Sequence, residues 1–451
     1  MLLICSTKKG TGDYTSSAMD ASSEHEESRQ QDLPDLAPVY DWSELPADLL
    51  IRIFVDLDVL DLFSVRAVCK SWWVYYLEAR RLGPACCRSQ SPCLLYSSNN
   101  HNDPNTATLF RLTNKKLYRV TLPDPPLPSC FVVGSCHGWL AIADEQSNLL
   151  LVNPLSRVQI ALPPPLTIKN VRGCYTTDGI LDRYHLLELD LLNQDCDTHA
   201  DPYDDLTREQ GRFYFYLRVA MSADPSRGSC IVMIMHMPNN HLSFARVGDA
   251  QWTWIDVNHR CRDYNDFFYN NSDGLFYAVR GSGEVHTIDL NGSSPVVKTI
   301  LRPMVSYIDT NKYIVQAPWG DILQVWRDND IDEEGEGRAI QLEVYMVDLV
   351  EQKLVEIKNL KEHTLFIGFN TPFFLLAEDY NMLIPDCIYL TDDYMDYIFC
   401  RRFNPRQVAV FSMKDGSFTD LFTSSDFWLN WPLPVWITPS YSQRQKRVVH
   451  V

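Results

Sequence analysis

The chain has 451 residues, of which 45% are hydrophobic and 22% charged, and its formal net charge is −18. This is the composition of a soluble globular protein with more than one core, since domains usually hold about 100–200 residues. Excess negative charge repels phosphate backbones and anionic lipid surfaces, so we expect no binding to nucleic acid or membrane.

Cysteine usage indicates the compartment. The 13 cysteines show no C-x-x-C spacing. A chain of this size does not need disulfide bonds, so reduced thiols and a location in the cytoplasm or nucleus are expected. The one short basic run, Arg444, Lys446 and Arg447, is interpreted as part of a solvated tail over residues 439–451.

Residues 1–40 are rich in Ser, Asp, Glu and Gln and contain few large apolar side chains. Such a segment cannot bury enough apolar surface to offset its chain entropy, so we predict a disordered N-terminal tail.

Helical periodicity begins after Trp42. An apolar stripe predicts a first helix, with Pro46 suited to its first turn; the stripe is Leu49, Leu50, Ile53, Phe54 and Leu57. A second helix is predicted from about Val59 to Cys69, and a third from about Ser71 to Leu82. The third places Trp72, Tyr75, Tyr76 and Ala79 on one side. Together they form a small all-α bundle over residues 41–83, followed by a linker over residues 84–92.

Beyond residue 90 the pattern changes to short alternating segments bounded by Gly, Pro, Asn or Asp, which predict strands. A strand–turn–strand motif recurs, for example as LLLVNPLSRVQIALP and VYMVDLVEQKLVEIKNL. Repeated hairpins favour an all-β propeller over residues 93–438. At ~40–50 residues a blade, this length holds about six to eight blades.

The segment from Trp42 to Trp73, WSELPADLLIRIFVDLDVLDLFSVRAVCKSWW, resembles the F-box. The resemblance implies that it binds a Skp-type adaptor and, through it, a cullin. The matching positions, which we predict to bind the adaptor, are Leu45, Pro46, Leu49, Leu50, Ile53, Phe54, Leu57, Leu62, Val65, Arg66, Val68, Cys69 and Trp72.

The remainder is similar to plant F-box proteins whose C-terminal domain is a kelch-like propeller of unassigned function. The similarity lies in HTLFIGFNTPFFLLAED, PDCIYLTDD and VAVFSMKDGSF, and in GSCHGWLAIAD. It implies a non-catalytic specificity subunit of an SCF-type ubiquitin ligase, without a cofactor, whose propeller captures a protein target. A non-ligase F-box interaction protein and a propeller hydrolase remain as alternatives.

Three patterns were weighed as chemical sites. Gly134-Ser135-Cys136-His137-Gly138 has the spacing of a nucleophile elbow, but that elbow needs a helix after it. The residues from Trp139 to Asp144 favour a strand, so we predict a tight turn. Cys130, Cys136 and His137 do not have the spacing of a common zinc site.

The third pattern, Asp328-x-Asp330-x-Asp332, begins like a calcium loop. Glu333 stands where the loop needs glycine and Ala339 where it needs glutamate, so an exposed acidic loop over residues 328–336 is predicted instead. The paired tryptophans, Trp252 with Trp254 and Trp428 with Trp431, are interpreted as packing in the blade cores or between blades, and a role of one or two of them in partner binding at a propeller mouth remains an alternative.

Overall fold

The structure is a computed structural model that describes residues 45–82, 90–97, 103–187, 204–255, 262–305, 310–331, 337–401, 406–422 and 431–441. The predicted disordered tail, most of the predicted linker and the basic run near the C-terminus lie outside these residues, as do Trp428 and residues 332–336.

Three helices open the described part of the chain: α1 (Ala47–Val55), α2 (Val59–Val65) and α3 (Lys70–Leu82). The predicted helices are therefore confirmed, with ends that differ by a few residues. Asp58 caps α2, because its side chain accepts a hydrogen bond from the Leu60 backbone N–H. Phe54 is buried and packs edge-on against Trp72, with ring centroids 5.2 Å apart.

Strands dominate the rest of the described chain, as predicted. In chain order they are β1 (Cys93–Ser97), β2 (Thr106–Arg111), β3 (Lys116–Thr121), β4 (Phe131–Cys136), β5 (Trp139–Ala143), β6 (Leu149–Val152), β7 (Gln159–Ala161), β8 (Val171–Tyr175), β9 (Leu181–Leu186), β10 (Asp204–Thr207), β11 (Tyr216–Met221), β12 (Ile231–His236), β13 (His241–Arg246), β14 (Thr253–Ile255), β15 (Tyr264–Asn270), β16 (Leu275–Arg280), β17 (Val285–Asp289), β18 (Val296–Leu301), β19 (Asn311–Gln316), β20 (Ile322–Ile331), β21 (Gly337–Asp348), β22 (Lys353–Glu356), β23 (His363–Ile367), β24 (Phe373–Leu376), β25 (Cys387–Thr391), β26 (Val408–Ser412), β27 (Phe418–Asp420) and β28 (Val435–Ile437).

The described strands form seven sheets. Six of these sheets are blades in which neighbouring strands run antiparallel, except that β23 and β25 run parallel. In chain order the blades are β1–β3, β4–β7, β11–β14, β15–β18, β19–β22 and β23–β27. The last strand, β28, pairs with β1 and places Ile437 opposite Cys93. The C-terminal strand thus completes the first blade and joins the two ends of the propeller domain within one sheet.

The seventh sheet, β8–β10, has three strands and lies outside this succession, because β4 and β11 pack directly against one another. It is followed by helix α4 (Arg208–Tyr214), and a further helix, α5 (Met395–Cys400), follows β25. The expectation that helices end near residue 90 is wrong at these two places. Thr207 and Gln210 form a capping box at α4, a local signal that overrides the surrounding strand pattern.

The bundle is anchored to the first blade through α2. Val59 and Leu60 are buried and join the same apolar core as β4–β6. Arg111 on β2 is 8% exposed; its guanidinium lies 2.7 Å from the Asp61 carboxylate and 3.4 Å from that of Asp58. This anchor fixes the position of α2 on the propeller.

Candidate functional site: an apolar bundle face and a mouth cavity

The helical bundle exposes more large apolar surface than its size requires. Leu49 and Ile53 lie one turn apart on α1, and Trp73, Val74 and Leu77 are spaced for one side of α3. With Val68 between the helices, these six residues are called the apolar set; their exposed fractions are 48% (Leu49), 43% (Ile53), 51% (Val68), 45% (Trp73), 58% (Val74) and 43% (Leu77).

The predicted adaptor-binding residues divide by exposure. Leu50, Phe54 and Leu62 are buried and hold the helices together, so they are unavailable to a partner in this conformation. Exposed are Pro46, Leu49, Ile53 and Val68, while the half-buried ones are Leu45, Leu57, Val65, Arg66, Cys69 and Trp72.

Trp73, Val74 and Leu77 were not among the predicted residues. Their i, i+1, i+4 spacing is a second apolar stripe on α3, opposite the predicted one, and it was the available signal. The predicted stripe faces inward, because Tyr76 and Ala79 are buried. A helix with apolar residues on two sides has one side left for a partner.

A cavity of about 690 Å³ opens at one end of the propeller. Its walls come from five distant parts of the chain: the turn between β4 and β5, the end of β11 and the segment after it, the end of β15, the segment before and within β24, and the end of β28 with the segment after it. Gln90 also lines it and accepts a hydrogen bond from the Val59 N–H at the start of α2, at 2.9 Å. The cavity and the anchored helix α2 therefore share a rim.

The segment with the spacing of a nucleophile elbow, Gly134 to Gly138, contributes to this wall. Strand β5 follows it, so the predicted tight turn is confirmed. His137 and Gly138 both have positive φ, +52° and +78°, as a two-residue hairpin turn of this hand requires. A β-carbon at Gly138 would overlap Ser440, whose hydroxyl donates to the His137 carbonyl oxygen at 2.7 Å.

Cys136 and His137 converge on one acceptor. The imidazole Nε2 lies 3.1 Å and the Cys136 Sγ 3.9 Å from the Met221 carbonyl oxygen. The charge of Cys136 is the main cause that raises the pKa of His137 to about 9, and the hydrogen bond to Met221 and the charge of Asp224 act in the same direction. Burial alone would raise the pKa of Cys136, but the His137 charge and hydrogen bonds from His137, Thr371 and the backbone lower it.

The remaining sequence patterns are the possible metal sites, the acidic segment and the tryptophan pairs. The described part of the chain holds no group of three or more His, Cys, Asp or Glu residues placed for a metal ion. The predicted acidic loop is wrong for residues 328–331, because Asp328 and Asp330 lie in strand β20, which extends through Ile331. The rest of the predicted loop, residues 332–336, lies outside the described residues. Trp252 is buried and donates to the Pro163 carbonyl oxygen at 2.8 Å, as blade packing predicts.

Three blades are joined by a buried charge cluster that sequence reasoning missed. The Asp393 carboxylate has no exposed surface and lies within 2.9 Å of the Arg327 guanidinium; Arg218 contacts its other oxygen. The Tyr313 hydroxyl donates to the same carboxylate at 2.8 Å. Although burial opposes it, the two guanidinium groups lower the pKa of Asp393. The cluster is internally paired, so it belongs to the fold.

Comparison with known proteins agrees with this division. Residues 42–73 match the F-box-like family and residues 109–412 match the KIB1-4 β-propeller family. The protein is thus an F-box protein with a C-terminal β-propeller. Because the second match spans more than half of the chain, the chain belongs to the KIB1-4 β-propeller family. In the described part of the chain, none of the helices has the length and apolar content to cross a membrane.

Similar proteins come from the plant Arabidopsis thaliana. Putative F-box protein At5g55150 is 20% identical, over 73% of this chain and 79% of that protein. F-box protein SKIP23 is 22% identical, over 88% of this chain and 96% of that protein. Among solved structures, TolB from Acinetobacter baumannii has a TM-score of 0.37 at 10% identity and covers 82% of this chain and 73% of its own. A TM-score this low carries no inference about function.

Proposed function

We propose that this protein is the target-recognition subunit of a ubiquitin ligase built from a Skp-type adaptor, a cullin and an F-box protein. The observation that carries the proposal is the apolar set, which is exposed on α1, on α3 and at Val68 between α2 and α3, within the segment that matches the F-box-like family or just beyond it. A group of large apolar side chains exposed on so small a bundle marks a protein-binding site. The adaptor supplies the surface that buries them.

The anchored side of the bundle supports the second half of the proposal. Arg111 ties α2 to the first blade through Asp58 and Asp61, and this contact favours one orientation of the bundle on the propeller. Gln90 connects α2 to the rim of the mouth cavity. A protein target held at this mouth is therefore kept at a fixed distance from the adaptor.

No step of this mechanism requires bond chemistry by the chain itself. The ligase core carries the activated ubiquitin, and the propeller keeps a lysine of the target near it. Tethering raises the effective concentration of the target lysine, which reaches about millimolar or more for short connections. It also fixes the orientation of that lysine.

Adaptor binding is tested with the full-length protein and a purified Skp-type adaptor in a binding titration. Leu49→Asp with Ile53→Asp places two carboxylates in the proposed interface without touching the bundle core. Each buried anchor that is lost costs ~2 kcal/mol or more, so affinity should fall by at least about 100-fold. Ile340→Asp is the matched control, since Ile340 is an exposed isoleucine on β21, 58% exposed.

Equal affinities for wild type and the double variant would contradict the adaptor assignment. A second arm addresses the ligase. Wild-type protein should recover cullin together with the adaptor and support ubiquitination of a co-purified target, whereas Ile53→Asp should lose both. Adaptor binding without cullin would instead indicate an F-box interaction protein outside the ligase.

A further inference from the structure

The mouth cavity has an aromatic wall. Tyr269, Phe373 and Phe374 line it, and each is half-buried. Each also packs against a different hydrophobic core of the propeller. Phe373 stacks on Phe366 with ring centroids 4.8 Å apart, and the Phe374 ring lies 5.6 Å from that of Trp319. Rings that are already held in place lose little conformational freedom when a partner covers them, so they are suited to act as anchors for one.

The buried part of the lining favours an apolar occupant. Ser135 is 5% exposed and already donates to the Trp436 carbonyl oxygen. Ser222 is 7% exposed and accepts from the Ile231 backbone N–H at 2.9 Å. Buried apolar side chains lie beside them, among them Met221, Leu375 and Ile437. A polar group placed here would lose its hydrogen bonds to water without full replacement, whereas an apolar side chain would not.

One basic group of the wall is open to a partner. Arg227 is the only lysine or arginine among the described residues that line the cavity, and 76% of its side chain is exposed. Its guanidinium lies 3.9 Å from the Asp224 carboxylate, beyond hydrogen-bonding distance, and that carboxylate accepts from the Trp139 indole N–H at 3.1 Å. His137, by contrast, uses its Nε2 to contact the Met221 carbonyl oxygen. The guanidinium of Arg227 can therefore hold a carboxylate through two parallel N–H···O bonds.

We propose that the mouth cavity recognises a short segment of the target protein in which an aromatic or other large apolar side chain stands next to Asp or Glu. This assignment rests on the proposed function, since it names the chemistry of the target held at the mouth. The apolar side chain lies against Phe373 and Phe374, and the carboxylate pairs with Arg227. One guanidinium matches one carboxylate, whereas phosphate-recognition sites use clusters of arginine, so the anion is a carboxylate.

The charges of the protein limit how acidic this segment is. The net charge of −18 repels a polyacidic segment at long range, and Asp224 offsets part of the Arg227 charge. Recognition of the acidic residue is therefore a short-range contact that depends on direct pairing with Arg227. A segment with one carboxylate beside its apolar side chain meets this condition better than a run of acidic residues.

The test selects a phage-displayed library of random, unphosphorylated peptides on the immobilised full-length protein. Peptides enriched on the wild type should carry Asp or Glu within about two positions of an aromatic or large apolar residue. This pair should occur at least about tenfold more often than in the starting library, the factor that corresponds to one charge-assisted contact.

Two variants separate the parts of the motif. Arg227→Glu should replace the acidic preference by one for Lys or Arg and keep the apolar preference. Phe374→Ser should weaken the apolar preference and keep the acidic one. Arg183→Glu is the matched control, because Arg183 lies on β9, outside the succession of blades, with 42% of its side chain exposed. It should select the same peptides as the wild type.

All three variants should bind the Skp-type adaptor like the wild type. A failed selection by protein that binds the adaptor normally counts against this assignment alone, whereas loss of adaptor binding concerns the proposed function. A synthetic array of the enriched peptides, with phosphoserine in place of the acidic residue, separates the two possible anions and should show weaker binding.

Three outcomes would overturn the proposal. Selection without a shared motif removes the recognised segment. Equal enrichment of the same acidic peptides on wild type and Arg227→Glu places their binding outside the cavity, and this variant decides alone if Phe374→Ser does not fold. Binding at least about tenfold tighter to the phosphoserine peptides assigns the anion to a phosphate.

Discussion

Apolar side chains are usually buried and charged side chains exposed, and the helical bundle and the propeller each depart from this rule in a different way. The bundle exposes large apolar residues such as Ile53 and Trp73, whereas the propeller buries charged ones such as Arg327 and Asp393. The buried charges have partners within the chain, at distances of 2.9 Å or less. Large apolar residues such as Ile340 are also exposed on the propeller, but six of them belong to the small bundle, and such a concentration of exposed apolar side chains is what indicates a binding surface.

The largest effect is expected from breaking the buried charge cluster. Asp393→Asn leaves Arg218 and Arg327 in the interior without their shared carboxylate, and removing one member of a buried pair typically costs ~3–5 kcal/mol. Urea unfolding followed by tryptophan fluorescence measures the loss. Asp420→Asn is the matched control, because the Asp420 side chain is 47% exposed and pairs with Arg338 at 3.4 Å.

The control should lie within ~0.5 kcal/mol of the wild type, as surface substitutions usually do. If Asp393→Asn is as stable as Asp420→Asn, the cluster does not hold the three blades together and the contrast drawn above fails for the propeller.

The second effect concerns the side of α3 that carries Trp73 and Leu77. Replacing both with serine should weaken adaptor binding by ~2 kcal/mol or more, or about 30-fold, because exposed anchors are buried only in the complex. The free energy of unfolding should stay close to that of the wild type. Titration of the adaptor and urea unfolding measure the two quantities on the same sample.

Phe54→Ala is the informative comparison for this pair. It removes a buried side chain, so it should lower stability by ~3–5 kcal/mol and reduce adaptor binding only as a consequence. Normal binding by Trp73→Ser with Leu77→Ser would show that the adaptor uses α1 alone.

These residues show how far the sequence could be interpreted. The helices and most strands were predictable, because periodicity and turn residues are local. On α3 the sequence shows two apolar stripes, but Trp72 and Trp73 are adjacent, and only packing decides which of them faces Phe54. The charge cluster was not predictable, because Arg218 and Asp393 lie 175 positions apart in the sequence. The turn at His137 was predictable, but the cavity around it is built from segments that are far apart in the chain.

A smaller effect tests the anchor between bundle and blade. Arg111→Met keeps the length of the side chain and removes the charge that faces Asp58 and Asp61. Asp61 is partly exposed, with 39% of its side chain accessible, so the loss should be about 2 kcal/mol instead of the full value for a buried pair. Hydrogen exchange in α2 reports it, and the propeller amides should keep their protection.

Arg81→Met is the control within the same bundle, because Arg81 pairs with Glu78 in an exposed i,i+3 contact at 2.7 Å. Little change is expected there. If α2 exchanges equally in both variants, Arg111 does not fix the bundle on the propeller, and the proposed rigid presentation of a target loses its basis.

The smallest effect is a dependence of stability on pH. It comes from two buried groups, Asp266 and His236, whose pKa values are shifted in opposite directions. Burial raises the pKa of Asp266 to about 7, even though Arg218 and the backbone oppose the shift, and burial lowers the pKa of His236 to about 3. The folded state therefore binds the Asp266 proton more tightly than the unfolded chain does, so this contribution is complete below pH ~4 and is lost as the pH rises to about 7. For His236 the folded state excludes the proton, so its contribution is present above pH ~6.5 and is lost as the pH falls.

Between pH 7 and pH 5 the two slopes of stability against pH largely cancel in the wild type. Asp266→Asn should leave the His236 slope alone, and stability should then fall on acidification by about 1 kcal/mol per pH unit relative to wild type. Urea midpoints at pH 5, 6 and 7 measure the difference, and parallel curves for wild type and variant would mean that Asp266 is already ionised in the folded protein at pH 5.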